Sequence, residues 1–275
     1  MIQYIKIILK QITPPFLIFL FNKFRRNDAT YFDKTFTSWN ESIEGIQGYE
    51  SKEIFDKIYS ASKNVKDGKA IFERDGICFS KEAFRWPVIA NILYSIRKNN
   101  TSDFHILDFG GSLGSFYNQH LKFLSNFPGL KWNIVEQEHF VEVGIKEFQT
   151  ENLKFFRTIN ECIDYSPPNL VLLSSVIQYL EDPFKVLDQL INTKANTFII
   201  DRTPFIKGKN DILMHQHLSK KMGGAIYPSW FFSEKKFIDY FAAKKFSVFL
   251  NFDCDEDFGV GTFKGIVLVK KNEFN

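Results

Sequence analysis

The sequence predicts an α/β fold with a mostly parallel sheet of seven strands, the last one reversed. Helices cover both faces, and a helical extension precedes the sheet. Three observations predict this. From His105 onward, short apolar runs of strand length alternate with segments of helical period. The stretch "ILDFGGSLGSFY", Ile106 to Tyr117, reads as a buried strand, a glycine turn and a helix start. The last two apolar runs are joined by "DCDEDFGVGTFK", which lacks helical periodicity and therefore closes a hairpin rather than a parallel crossover.

The elements follow in chain order. Residues 1–27 form a basic segment with no acidic residue, carrying Lys6, Lys10, Lys23, Arg25 and Arg26. Its apolar run, Phe16 to Phe21, is far shorter than the ~20 residues of a membrane span, and Pro14-Pro15 interrupts it. No small-residue cleavage site follows, which argues against a signal peptide. Two readings stay open: the segment lies in a lipid interface with its cations against anionic headgroups, or it packs on protein. Residues 28–98 are expected as a helical extension or lid, irregular over Asp28–Gly48, with helices at Lys52–Lys63 and Lys81–Lys98 around an irregular "GKAIFERDGICF".

Residues 99–275 carry the α/β domain. Strands are expected at Ile106–Phe109, Trp132–Glu136, Leu153–Arg157, Leu170–Ser174, Thr197–Ile200, Ser247–Phe252 and Gly265–Lys270. Helices are expected at Ser115–Ser125, Phe140–Thr150, Phe184–Ile191 and Glu234–Lys244. The stretch 201–234 is too long for a plain connection and reads as a lid inserted at a strand end.

Bulk properties narrow the function. A formal charge of +3 over 275 residues gives no footprint for nucleic acid. Cys78, Cys162 and Cys254 are isolated and odd in number, which fits a reducing compartment and neither a disulfide scaffold nor a structural zinc site.

The glycine turn is the informative feature. A strand, a glycine turn and a helix N-terminus make a Rossmann-like nucleotide cradle. Asp108 stands at its mouth, where it would repel a pyrophosphate and attract a cationic ligand. Gly110, Gly111, Ser112 and Gly114 follow neither the dinucleotide GxGxxG nor the P-loop spacing. Glu136 ends the next strand about 22 residues past Gly114, where an acid reaches ribose hydroxyls in this topology.

With Asp108–Gly114, Glu136 and "NLVLLSSVIQYLEDP", the chain resembles the class I S-adenosylmethionine-dependent methyltransferases over roughly residues 83–270. More narrowly, in the combination of "DFGGSLGS", "VEQ", "SSVIQYLEDP" and "DRTPF", with "ERDGICF" and "YPSW" also covered, it is similar to a set associated with bacterial surface-polysaccharide clusters. The resemblance implies a seven-stranded sheet with a reversed last strand and S-adenosyl-L-methionine as cofactor. It implies that Gly110–Gly114 approach the methionine part, Asp108 holds its ammonium, Glu136 the ribose and Gln137 the adenine. Ser174 and Ser175 then face the exit of the methyl group. One departure is plain: "FFRTINE" lacks the acid that many relatives place after the third strand for the adenine amino group.

On this reading the acceptor is a hydroxyl of a sugar or a lipid-linked glycan precursor. The protein is cytoplasmic, and residues 1–27 would bring it to the inner face of a membrane. A hydroxyl acceptor needs a base. Gln178 stands where many relatives carry His, so the lid residues His215 and His217, together with Asp201, are the catalytic candidates. The two histidine rings are expected on opposite faces of an extended segment, so that only one reaches the methyl. No carboxylate or cysteine stands in an evident partner motif for the HxH pair, and no metal is expected. Two alternatives remain: an NAD-dependent or nucleotide-sugar oxidoreductase, and a non-catalytic cofactor-binding subunit.

Overall fold

The computed structural model describes residues 29–46, 52–219, 222 and 224–271. The basic segment 1–27 lies outside the described residues, and no described helix is long and apolar enough to cross a membrane.

The N-terminal part contains strand β1 (Tyr31–Phe36), helix α1 (Trp39–Ile43), helix α2 (Lys52–Lys66), the short strands β2 (Phe72–Arg74) and β3 (Ile77–Phe79), and helix α3 (Trp86–Asn99). The main sheet then alternates β4 (Phe104–Phe109), α4 (Ser115–Leu124), β5 (Leu130–Val135), α5 (Glu138–Val143), β6 (Leu153–Phe156), α6 (Ile159–Tyr165), β7 (Leu170–Ser174), α7 (Pro183–Asn192) and β8 (Thr197–Ile206). A π-helical turn, Gly144–Phe148, prolongs α5. Strands β9 (Ile212–His217) and β10 (Ile226–Ser233), helix α8 (Glu234–Ala243), and strands β11 (Phe246–Asp253) and β12 (Thr262–Lys270) complete the chain.

In the main sheet, β6, β5, β4, β7 and β8 are neighbours in that order and parallel. β12 runs antiparallel against β8, and β11 lies antiparallel outside it. All seven expected strands are present, with the last reversed, as the resemblance implies. Strand residues alternate between two buried layers, as a sheet covered on both faces requires. Ile106, Leu170 and Leu172 face the layer of α2–α5, while Leu107, Val171 and Leu173 face that of α6–α8.

Several regions differ from the sequence reading: the stretch Asp28–Gly48, expected as irregular, holds β1 and α1, and α6 adds a helix that was not expected. The helix expected from Lys81 starts at Trp86, because Pro87 in its first turn would clash with the carbonyl of a turn added before it. The irregular "ERDGICF" is the β2–β3 hairpin, with Asp75 at φ 53° and Gly76 at φ 76° making its two-residue turn. The lid is β structure. β8 runs on past the end of β7, pairs there with β10, and β10 carries β9 and then β1 outward in antiparallel order. This ribbon overhangs the C-terminal ends of the parallel strands, where open α/β sheets bind their ligands.

Candidate functional site

At those strand ends β4 passes into a turn whose conformation only some residues tolerate. Gly110 and Gly114 have φ of 74° and 90°, and Ser112 between them has φ 55°. Gly111 is required for a different reason: a Cβ there would stand 2.5 Å from Oδ2 of Asp108. The turn and the carboxylate are therefore fitted to each other.

Asp108 is buried, and its Oδ2 accepts a hydrogen bond from Nε1–H of Trp132 at 2.9 Å. Burial pushes its carboxyl up to about 7, against which the Trp132 bond acts. On the adjacent strand Glu136 is half-buried and accepts from the Gln137 N–H at 2.8 Å. Burial raises its carboxyl to about 7 as well, with a further push from Asp108. Two acids held this far above their ordinary range on neighbouring strands would each be stabilised in the charged form by a ligand cation or hydroxyl.

Two adjoining cavities open here. The larger, about 690 Å³, is lined by Glu136, Gln137, Tyr179, Gln216, Tyr227 and Phe258 among others. The smaller, about 90 Å³, is lined by Asp108, Gly111, Ser112, Ser115, Ser174 and three arginines, Arg74, Arg85 and Arg202. Ile58, Asp75, Gly110, Ser175 and Arg202 border both and mark the junction. An elongated ligand thus finds Asp108 in the smaller chamber and Glu136 in the larger, with the glycine turn between them.

The β2–β3 hairpin closes the smaller chamber. Glu73 is buried, accepts from Ser115 Oγ and from the Gly76 N–H at 3.2 Å, and is pushed up to about 7 by burial. Its neighbour Arg74 lies over the Phe72 ring. Burial and then the guanidiniums of Arg202 and Arg85 hold Arg74 below its ordinary pKa, an environment that a ligand anion would relieve.

Arg85 reaches the same chamber from the residue before α3. It pairs with Asp201 through two guanidinium nitrogens, Nη2–Oδ1 at 2.5 Å and Nε–Oδ2 at 3.3 Å. His120 fixes its backbone, with Nδ1–H donating to the Phe116 carbonyl at 2.8 Å and Nε2 accepting the Arg85 N–H at 3.0 Å. Burial lowers the His120 pKa to about 4, consistent with that neutral tautomer.

Of the residues expected to hold a cofactor, Asp108, Gly110, Gly111, Ser112, Glu136, Gln137, Ser174 and Ser175 all line one cavity or both. Gly114 starts α4 beneath them. Ser174 is already engaged, donating to Asp201 Oδ2 at 3.1 Å, whereas Ser175 borders the junction. Arg157 lines the larger cavity where the acid after β6 is missing.

The catalytic candidates are placed differently. Asp201 is fully buried and saturated by Arg85 and Ser174, so it holds the floor and cannot reach an acceptor. His215 and His217 are two apart on β9, and strand alternation puts them on one face, correcting the expectation of opposite faces. That face points away from the cavity, which Gln216 between them lines. Nε2 of His215 meets the Ser42 carbonyl at 2.7 Å, and Nε2 of His217 meets Asp33 Oδ1 at 2.7 Å. A different carboxylate stands at the junction. There Arg202, itself at φ 52°, joins Asp75 Oδ2 (3.0 Å) to Glu256 Oε1 (2.6 Å). The other carboxylate oxygen of Glu256, Oε2, is buried with no hydrogen-bond partner.

The sequence reading missed Glu73, Arg74, Arg85, Trp132 and Glu256. The Asp-Gly turn was the available signal for the first two.

No protein-family model and no curated protein sequence matches the chain. Solved structures do. One is the 1,6-didemethyltoxoflavin-N1-methyltransferase of Burkholderia thailandensis with 1,6-didemethyltoxoflavin and S-adenosylhomocysteine bound. It is 13% identical, with TM-score 0.47 over 83% of this chain and 93% of that one. Another is the magnesium protoporphyrin IX methyltransferase of Synechocystis PCC 6803 with bound SAM, 12% identical, TM-score 0.49, over 81% and 93%. A third is a SAM-bound amino pentose methyltransferase of Micromonospora echinaspora involved in calicheamicin biosynthesis, 11% identical, TM-score 0.45, over 67% and 90%.

Proposed function

We propose that this chain is an S-adenosylmethionine-dependent methyltransferase that methylates a hydroxyl of a sugar or glycan precursor in surface-polysaccharide biosynthesis. The observation that carries the cofactor reading is the pair Asp108 and Glu136 on adjacent strand ends around a glycine turn that Asp108 itself requires. A dinucleotide's pyrophosphate in the smaller chamber would meet the carboxylates of Asp108 and Glu73. A zwitterionic amino acid suits it, with the ammonium at Asp108 and the carboxylate at Arg74. The orphan Ser112 Oγ, buried without a partner, offers it a further hydrogen bond. Glu136 and Gln137 would take the ribose and adenine.

When bound, the cofactor supplies an electrophilic methyl group. The chain's residues bind, align and exclude water, which is most of what a displacement needs. Arg202 and Asp75 would orient the acceptor at the junction, and Glu256, which lines the larger cavity, would take the hydroxyl proton once its buried, unpartnered Oε2 turns toward the acceptor. Tyr179 and Tyr227 pack edge to face (5.1 Å between centroids) in the wall of the larger chamber, and Tyr179 donates to Gln216 Oε1 at 2.8 Å. Such a wall of rings, amides and carboxylates suits a polyhydroxylated acceptor. Residues 1–27 are proposed to hold the enzyme at anionic lipid on the inner face of a membrane, which salt-sensitive sedimentation with anionic vesicles checks.

The test of the cofactor is calorimetry and thermal shift with S-adenosylhomocysteine, S-adenosylmethionine and NAD. Stabilisation by the first two and not by NAD is expected. A shift with NAD alone sinks the proposal, and Asp108→Asn should lose the response to both sulfur ligands.

A further inference from the structure

We propose that Asp33, His215 and His217 form a binding site for a first-row divalent cation of the zinc type, fastening β1 to β9 on the outer face of the lid. The sequence offered the histidine pair and no third ligand. Chain folding supplies one, since β1 pairs antiparallel with β9 and Asp33 stands directly across from His215. A register irregularity between Asp33 and Thr35, with Lys34 at φ 45°, interrupts the ladder beside it, the kind of bulge that re-aims a side chain.

One ligand atom from each residue lies within 4.8 Å of the other two. Bond lengths of roughly 2.0–2.2 Å to zinc separate tetrahedral ligands by a little over 3 Å, so modest side-chain rotation closes the set. Two imidazoles and one carboxylate are a donor set that zinc and its first-row neighbours favour. The surroundings fit as well. His215 donates Nε2–H to the Ser42 carbonyl at 2.7 Å, the outer bond that ligating histidines usually make, which leaves the lone pair of the neutral ring on Nδ1. Its ring lies against Phe36 (4.2 Å between centroids) and that of His217 stacks on Tyr31 (4.4 Å). Both rings are thereby held in orientation before any metal arrives. Asp33 and His217 retain partial exposure, giving the ion an entry path and room for water as a fourth ligand.

The site faces away from the cavity, so the ion's role is structural: it orders the strand from which Gln216 reaches Tyr179. Metal binding is read directly and does not depend on the methyltransferase reading. The test is to strip the full chain with a chelator, dialyse it against micromolar zinc chloride, and measure bound zinc and melting temperature. One zinc per chain and a raised melting temperature are expected. Asp33→Asn, a change at a half-exposed carboxylate, should weaken zinc at least tenfold, as should His217→Ala. Cys254→Ser and Cys78→Ser should retain zinc. No zinc on the wild-type chain overturns the site, as does undiminished zinc in Asp33→Asn.

Discussion

Trp132 donates its indole N–H to Asp108 across two adjacent parallel strands, 2.9 Å from nitrogen to carboxylate oxygen, with both side chains buried. The bond favours the charged form of an acid that its surroundings push toward neutrality. Trp132→Phe keeps a ring in the core and removes the donor. A hydrogen bond to a charged group is worth about 1.5–3 kcal/mol, so affinity for S-adenosylhomocysteine at neutral pH should fall about ten- to hundredfold. Calorimetry on the purified variant measures this directly.

The raised acids make a pH prediction with a definite sign. Asp108 and Glu136 sit at about 7 in the folded chain, so below that pH each must release a proton to meet a ligand as a carboxylate. Affinity should weaken as pH falls from 8 toward 6, by roughly tenfold per unit for each proton coupled. The ligand-free protein should do the opposite. Folded pKa values above the unfolded ones stabilise at low pH, and that contribution is lost as pH rises through about 7. His120 opposes this at the acid end, because its depressed pKa gives stability that is lost as pH falls from 6.5 toward about 4. Thermal melts with and without ligand between about pH 4.5 and 8.5 check both slopes. A flat binding profile removes Asp108 as the ammonium's partner.

Gly111 tests the fit between turn and carboxylate. A single methyl there meets Asp108 Oδ2 at 2.5 Å, so even Gly111→Ala must displace the carboxylate from its place beside Trp132. Ligand affinity should drop by tenfold or more in Gly111→Ala and be lost in Gly111→Val. An Ala variant that binds like wild type shows that the turn can yield.

These residues were legible in the sequence because local pattern encodes them. The apolar run of β4, the glycines after Asp108 and the spacing to Glu136 are all read within one strand–turn–helix–strand unit. The β2–β3 hairpin carried an Asp-Gly turn signal and only three residues per strand, too short to show alternation. Other features are long-range. Nothing near Arg85 in the chain foretells its pairing with Asp201, and nothing near His217 foretells Asp33. A loop over 201–234 would bring the lid histidines over the cavity, which is what makes them candidates in the sequence. The loop proved to be a strand, and a strand commits alternate residues to opposite sides, which turned Gln216 inward and both histidines outward.

Asp201 now serves structure, and a pair of variants separates that role from proton transfer. Removing either partner of the buried Arg85–Asp201 pair leaves an uncompensated charge, at a cost of about 3–5 kcal/mol. Arg85→Ala and Asp201→Ala should therefore melt well below wild type by similar margins. The double variant should melt no lower than the worse single, because the two losses share one interaction. A general base would instead show normal melting with a collapsed rate. Differential scanning calorimetry beside turnover distinguishes the two.

Glu256 is where a base is expected. One of its oxygens is held by Arg202 at 2.6 Å and the other, Oε2, is buried and unpartnered in a group that lines the larger cavity. Glu256→Gln keeps the size and the contact with Arg202 but cannot take a proton. On an acceptor confirmed by product mass, turnover should fall about a hundredfold or more while affinity for S-adenosylhomocysteine stays near wild type. His217→Ala should keep turnover within a few-fold of wild type, since its ring faces Asp33 on the far side of the lid. Full turnover in Glu256→Gln would mean that alignment at Arg202 suffices without a base, and a collapse in His217→Ala alone would return the proton to the lid.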